Sequence, residues 1–400
     1  MWFAAGSQAD ESALTLREAE QRAVARDPVL ARTASLQQAF AANAVAAGTL
    51  PDPQLRLGVS NISAETFKFD QEPMTQGVVG ISQTFPPAGA RDAAADRFAA
   101  LSDAQRQGIS ERRLEVLRQV RRAWLELYYQ QQAKALLVQS ESVFEQLSKI
   151  TQYQYRAGRG NQQHVVRAQL EHSLLKDRET DIDTERERAL VELERWVGPL
   201  RATPTVNFPE LVPVPGRTQL EAVLEQHPAL QSGEAGVRAA RHGVAMEKTR
   251  YKPGWMLDVT YGVRAADRDD LFSAVVKLDL PLFTAARQGK QVEAGRAQLV
   301  AQQESLNDRR RSLRAMLDRS EALYLHISQR LQYFSSDLLP QAAQNTEAAL
   351  NAYQSGVSDF GELVRARLTE LDSRLKYLRL KVKRAKAHVD LLYLAGDQGA

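Results

Sequence analysis

The residues able to do chemistry in this 400-residue chain stand at no catalytic spacing. There is no Gly-x-Ser-x-Gly nucleophile turn, no phosphate-cradling loop and no dinucleotide fingerprint. The six histidines, His164, His172, His227, His242, His326 and His388, form no His-x3-His pair and sit at no acid-paired ligand spacing. The pattern therefore predicts no catalytic residues, no metal site and no cofactor. Cysteine is absent, which removes disulfides, thiolate metal sites and cysteine nucleophiles and fits an oxidising compartment. What does recur with a period is polarity on alternating positions: Arg56 and Ser60, Asp258 and Thr260, Lys277 and Asp279. Such rows solvate a surface and leave the opposite face apolar. That is the chemistry of a wet wall, and the chain reads as a non-enzyme.

The elements carrying those rows read as four strands. Leu55, Leu57 and Val59 alternate with Gln54, Arg56 and Ser60. After a polar loop from Asn61 to Gln76, Val79, Ile81 and Phe85 alternate with Gly80, Ser82 and Thr84, ending at Pro86-Pro87-Ala88-Gly89. Leu257, Val259, Tyr261 and Val263 alternate with Met256, Asp258, Thr260 and Gly262. Beyond a turn near Asp267-Arg268-Asp269-Asp270, Phe272, Ala274, Val276, Leu278 and Leu280 alternate with Ser273, Lys277 and Asp279, ending at Pro281. Each strand is expected to be roughly 9–11 residues, the length a tilted membrane-spanning strand needs.

Long helices surround the strands, and the arrangement occurs twice. The helix-starting Pro-x-Leu of Asp27-Pro28-Val29-Leu30 is echoed by His227-Pro228-Ala229-Leu230, and Tyr155-Arg156-Ala157-Gly158 by Tyr353-Gln354-Ser355-Gly356. Val166-Arg167-Ala168-Gln169-Leu170 returns as Val364-Arg365-Ala366-Arg367-Leu368, about 200 residues on. This is longer than a solenoid module of about 20–50 residues. The predicted organisation is an N-terminal tail (1–13), repeat 1 (14–198), a Pro-rich linker (199–216), repeat 2 (217–396) and a tail (397–400). Each repeat reads helix, strand, strand, very long helix, turn, return helix. The first helix runs from about Leu14 to Gly48, stopped by Pro51 and Pro53. Rods follow from Arg91 to about Tyr155 and from Arg287 to about Tyr353, each about 100 Å long at 1.5 Å per residue. Pro340 should kink or break the second rod. Glycines after the rods (Gly158-Arg159-Gly160 and Gly356) suit a left-handed C′ position. The last return helix steps Val364, Leu368, Leu371, Leu375, Leu378, Val382, Ala385, Val389 and Leu392, a coiled-coil seam; the first is interrupted by Asp177 and Asp181. A return helix stacked on a short helix matches one rod in length, which places a strand pair at one end and a tight turn at the other.

Net charge is only +3. Basic runs such as Arg112-Arg113 and Arg309-Arg310-Arg311 lie in helical patterns with Glu and Asp, so they read as solvated helix faces and not as nucleic-acid contacts. No run approaches 18 apolar residues, which argues against a transmembrane helix and leaves a β-barrel open. Met1 to Ala9 is short for a signal peptide and lacks a basic start; a small-residue site near Ala9 reads as the tail of a truncated one. Four strands cannot close a barrel, and an open edge in lipid leaves backbone groups unsatisfied at several kcal/mol each. Three copies would supply twelve strands over twelve helical rows, with Arg56, Ser60, Asp258, Thr260, Lys277 and Asp279 lining a lumen and Leu57, Val59, Leu257, Val259 and Leu278 facing lipid.

With these residues the chain resembles the TolC-like outer-membrane factors of Gram-negative tripartite efflux systems, from about Leu14 to Gly396. The duplication, the Tyr-x-x-Gly turns and the terminal Leu391-Leu392-Tyr393-Leu394-Ala395-Gly396 carry the resemblance. Leu50-Pro51-Asp52-Pro53-Gln54-Leu55-Arg56-Leu57-Gly58 and Gln83-Thr84-Phe85-Pro86-Pro87-Ala88-Gly89-Ala90-Arg91 look like the branch serving heavy-metal resistance-nodulation-division pumps, although Ala90 replaces the usual lysine. Many relatives carry a lipid-bearing N-terminal Cys, which has no counterpart here. The resemblance implies a mainly α protein with a transmembrane β-barrel: a homotrimer in outer-membrane lipid with a large periplasmic part. It implies passive conduction of substrate, here heavy-metal cations, from an inner-membrane pump through a periplasmic adaptor. Drug efflux or type I secretion is the runner-up, and a soluble coiled-coil scaffold or adaptor the rival from another class. In the family, residues after the second turn form acidic rings that constrict the periplasmic mouth. The matching positions are Glu362 and Arg365, with His164 and Arg167 in the first repeat. Alone, Glu362 and Arg365 at i,i+3 are a helix-surface pair of about 0.2–0.5 kcal/mol. The turns Gly158-Arg159-Gly160 and Gly356-Val357-Ser358 are the expected adaptor contacts.

Overall fold

The computed structural model describes residues 14–200, 203–265 and 268–397. The expectations for the N-terminal tail lie outside them. The elements run α1 (Leu16–Arg26), α2 (Pro28–Gly48), β1 (Gln54–Ser60), β2 (Gln76–Phe85), α3 (Ala90–Arg156), α4 (Gln162–Val197), α5 (Arg217–Leu224), α6 (Pro228–Thr249), β3 (Trp255–Arg264), β4 (Leu271–Leu278), α7 (Gln288–Tyr333), a π-helical turn (Phe334–Leu338), α8 (Leu339–Gln354) and α9 (Phe360–Leu394). They form two units. One comprises Met1–Leu30, Ser110–His227 and Arg311–Ala400; the other comprises Ala31–Ile109 and Pro228–Arg310.

The second unit holds the sheet, antiparallel throughout in the order β1-β2-β3-β4. Its register puts Leu57, Val79, Tyr261 and Phe272 in one cross-strand row, and Arg56, Gly80, Thr260 and Ser273 in the next. The predicted alternation is therefore the alternation of the sheet. The edge strands are shorter than expected, at 7 residues for β1 and 8 for β4, against 10 for each central strand. β4 ends at Leu278, so Asp279 lies beyond the ladder, where its N–H still donates to the Gly254 carbonyl at 2.9 Å. Helices of this unit are joined by polar side chains on small-residue surfaces. Gln37 Nε2 donates to Ser102 Oγ at 3.1 Å, and Ser232 Oγ to the Ala104 carbonyl at 3.0 Å.

The first unit is helical. One continuous helix from Leu14 to Gly48 does not form, because Pro28 has no N–H to donate and Asp27 leaves the helical region (φ −69°, ψ 114°). Asp27 instead caps α2, accepting the Leu30 N–H at 2.8 Å, while Arg112 reaches its carboxylate at 2.7 Å. α1 itself opens with a capping box between Thr15 and Glu18. The seam of α9 is buried as its stepping predicts: Val364, Leu371, Leu378, Val382, Ala385, Val389 and Leu392 are covered, with Leu368 and Leu375 packed beside them. α4, of similar length, buries only Ala168, Leu175, Ala189, Leu193 and Val197. Pro340 acts one turn early. The helix widens into the π turn ahead of it, and Leu339 N–H reaches back to Phe334 O. The Pro-rich linker is not slack. Trp124 Nε1 donates to Asn207 O at 2.9 Å, and Gln131 bonds both Pro204 O and the Val206 N–H, at 2.7 and 3.1 Å.

Candidate functional site

The sheet is inside out for a water-soluble protein. Its apolar row is exposed, with Leu55 at 69%, Leu57 at 68% and Phe272 at 71%, while Asp258 on the polar face is 9% exposed. Asp258 is reached from two strands away. Arg56 on β1 crosses β2 and donates from Nη2 to Asp258 Oδ1 at 2.9 Å and to Thr260 Oγ1 at 2.7 Å. The crossing point is Gly80, the register partner of Arg56, where an added Cβ would stand 3.0 Å from Thr260 Oγ1 and 3.6 Å from Arg56 Nε. The polar face thus carries a three-strand bridge. Lys277 shares its row with Met256 and Thr84, away from that bridge.

At the turn end both rods stop the same way. Gly158 (φ +73°) and Gly356 (φ +75°) take the left-handed conformation. Arg159 N–H donates to Gln154 O and Val357 N–H to Ala352 O, each at 2.9 Å. With the three-residue bonds from Gly158 N–H to Tyr155 O and from Gly356 N–H to Tyr353 O, at 3.0 and 3.1 Å, both are Schellman stops. Asn161 and Asp359 then cap the return helices, accepting from Gln163 N–H and Glu362 N–H. The two turns meet over one cluster. Phe360 is fully buried, its ring centroid 5.7 Å from both His164 and Tyr353, and Tyr353 Oη donates to Gln154 Oε1 at 2.8 Å. Glu362 and Arg365 pair at 2.9 Å on the surface, 56% and 66% exposed. Arg167 lies against Gly361, where a Cβ would be 2.7 Å from its Nη1 and 2.8 Å from Asp359 Oδ1.

Residues 220–397 match the family model of the outer membrane efflux proteins. Protein CyaE of Bordetella pertussis is 24% identical over 325 residues, 78% of this chain and 68% of that protein. Among solved structures, the outer membrane protein VceC of Vibrio cholerae superposes with a TM-score of 0.80, at 16% identity, covering 95% of this chain and 96% of that one. The outer membrane channel CmeC of Campylobacter jejuni gives 0.82 at 13% identity, over 95% and 85%. This is the fold of an outer membrane efflux protein. In such a fold the mixture of long helices with one four-stranded sheet is the expected architecture.

The efflux-protein fold brings together some of the sequence-predicted residues and separates others. His164 joins Phe360 in one cluster, and Arg167 reaches Gly361 of the other repeat. Arg56 joins Asp258, whereas Asp279 belongs to neither strand nor bridge. Sequence reasoning passed over Gly80 and Gly361, whose only signal was a missing side chain opposite an arginine. It also missed the ion pairs that fix the helices. Arg121, 6% exposed, bonds Glu20 at 2.6 Å and Asp397 at 2.8 Å, fastening α1 and the end of α9 to α3. Burial pushes the Glu126 carboxyl up, but the Lys386 ammonium and Arg379 guanidinium hold it below the usual carboxylate range. Among the described residues no three His, Asp or Glu side chains gather as a metal-binding group, and no helix is long and apolar enough to cross a membrane.

Proposed function

We propose that this chain is one subunit of a homotrimeric outer-membrane channel, conducting substrate passively from an inner-membrane pump and its periplasmic adaptor to the exterior. The observation that carries the reading is the inverted sheet: an exposed apolar face, a charged inner face and two open edges. In water that arrangement wastes apolar area at about 25 cal/mol per Å². In a bilayer it is stable once the edges pair, and three copies close twelve strands. A second row supports association. Val166, Leu170 and Leu174 lie on one face of α4 at i, i+4 and i+8, and each is about half exposed.

The cargo assigned is heavy-metal cations moved by a resistance-nodulation-division pump, supported by the Leu50–Gly58 and Gln83–Arg91 motifs. The turn residues Gly158, Arg159, Gly160, Gly356, Val357 and Ser358 are the proposed adaptor contacts, and Glu362, Arg365, His164 and Arg167 the proposed constriction. Purified protein in planar bilayers should give discrete conductance steps and run as a heat-sensitive trimer in detergent. A water-soluble monomer without conductance would overturn the channel. A deletion strain that loses tolerance to antibiotics but not to metal ions would overturn the cargo alone. An adaptor crosslink scan with contacts only near the sheet would refute the docking turns.

A further inference from the structure

The segment joining β1 to β2, residues 61–75, reads from sequence as a polar loop, yet it exposes large apolar side chains. Phe67 is 71% exposed, Met74 52% and Phe69 36%, among exposed polar and charged neighbours. The loop is nevertheless a built element. Thr75 is fully buried and donates to Asn61 O at 2.8 Å, while Asn61 Nδ2 donates to Met74 O at 3.2 Å, closing the base. Two arginines from the β3–β4 side hold it from outside: Arg268 donates to Glu72 O at 3.0 Å and Arg264 to Pro73 O at 3.4 Å. Within it Phe67 has φ +53°, a left-handed conformation that a bulky side chain adopts only under constraint. A constrained loop that displays phenyl rings to solvent needs an occupant for that surface.

The sheet says which. A Cβ on Gly77 would lie 3.9 Å from Phe69 Cζ, so the Phe69 ring lies over Gly77. Gly77 stands in the cross-strand row Val59–Gly77–Val263, the last row of the apolar face. The loop is folded down on that face and continues it. At the other end the face also finishes in aromatic rings, with Phe85 and Trp255 stacked at 4.0 Å. From Trp255 to Val263 is eight steps, about 27 Å along the strand. At a tilt of about 40° this is about 20 Å of height, short of the ~25 Å apolar band of an outer-membrane barrel. Phe69, packed over the last row, and Phe67, exposed in the same loop, add apolar surface at that end.

We propose that residues 61–75 form a lipid anchor: Phe67, Phe69 and Met74 enter the boundary between acyl chains and headgroups of the outer leaflet, and Lys68, between the two rings, meets lipid phosphate. The proposal rests on the reading of the apolar sheet face as lipid-facing. Because the chain has no cysteine, single labels are clean. Phe67→Cys, Phe69→Cys and, as reference on the central apolar face, Val79→Cys are spin-labelled and reconstituted in phosphatidylethanolamine–phosphatidylglycerol vesicles. Collisions with oxygen, which partitions into lipid, are compared with those of a water-soluble nickel complex. Oxygen collisions should dominate at all three, with a shallower depth at 67 and 69 than at 79. Lipid exposure at 79 with nickel access at 67 and 69 overturns the anchor and leaves the channel reading standing. Labels at 67 and 69 shielded from both reagents overturn it in favour of contact with a second copy. Nickel access at 79 overturns the membrane reading, and the anchor with it.

Discussion

Gly80 decides what Arg56 can do. A side chain on Gly80 would crowd Thr260 Oγ1, 3.0 Å from the added Cβ, on the path by which Arg56 reaches Asp258, and without Arg56 the nearly buried Asp258 would be left with the Thr260 hydroxyl. Arg56 itself is half exposed, so the ion pair is screened and its removal is expected to cost only about 1 kcal/mol. Gly80→Val should cost more, because the new side chain also meets the Val259 carbonyl, 3.2 Å from the added Cβ. The two variants should lower the heat-dissociation midpoint in that order, and Arg56→Ala should also shift ion preference towards cations. Equal midpoints for Gly80→Val and wild type would remove the bridge from the account. A second residue-scale prediction concerns His388, whose Nε2 lies 2.8 Å from Val212 O in the linker. Burial lowers its pKa from 6.5; the Val212 bond opposes this, while Arg384 and Arg121 add to it, and Tyr324 packs edge-on at 5.6 Å. The unfolded state then binds more protons, so this contribution is complete above about 6.5 and is lost as pH falls through the folded value. Thermal midpoints should drop between pH 7.5 and 5.5, and His388→Gln should flatten that slope. Glu126 and Asp27, both held low, act only below about 4.5 and so do not contribute in this window.

At the scale of elements, periodicity made the strands, the α9 seam and the Schellman stops legible, because each is a local pattern: alternation of two, stepping of three and four, glycine after a tyrosine turn. What was illegible depended on the partner. Pro28 breaks the first helix locally, but the Arg112 that holds Asp27 at the break is 85 residues away, and the linker is ordered by Trp124 and Gln131 of α3. The π turn lies between these cases, since Pro340 announced a disturbance but not its form. Widening the helix ahead of the proline spares its ring the clash with the carbonyl four residues back, at the cost of one extra residue in the turn. Deleting the exposed Ser335 should therefore return the helix to α register. With Pro340 retained, the clash returns and the deletion should destabilise by about 3 kcal/mol. Combined with Pro340→Ala, it should unfold at or above the wild-type temperature by circular dichroism. A deletion that costs nothing on its own would show that the π turn has another origin.

At the scale of the whole molecule, the threefold symmetry proposed above would change the meaning of a weak contact. Glu362 and Arg365 in one chain are an exposed pair in the first turns of α9, of the kind that contributes little to stability. Repeated three times around such an axis, with Arg167 and His164 from the first repeat, the same side chains would become the proposed ring of mixed charge. Such a ring would narrow an opening without making it strongly cation-selective. Phe360, fully buried beneath, holds both turns together, so the charged residues can be removed without loosening the packing under them. The double variant Glu362→Ala and Arg365→Ala should keep its heat-sensitive trimer and raise single-channel conductance in planar bilayers severalfold, with little change in cation preference because one acid and one base leave together. Phe360→Ala, by contrast, should lower the dissociation temperature as well, since truncating a buried aromatic costs about 3–5 kcal/mol. Conductance and selectivity both unchanged in the double variant would mean the constriction lies elsewhere, and Glu362 and Arg365 would revert to a solvated helix pair.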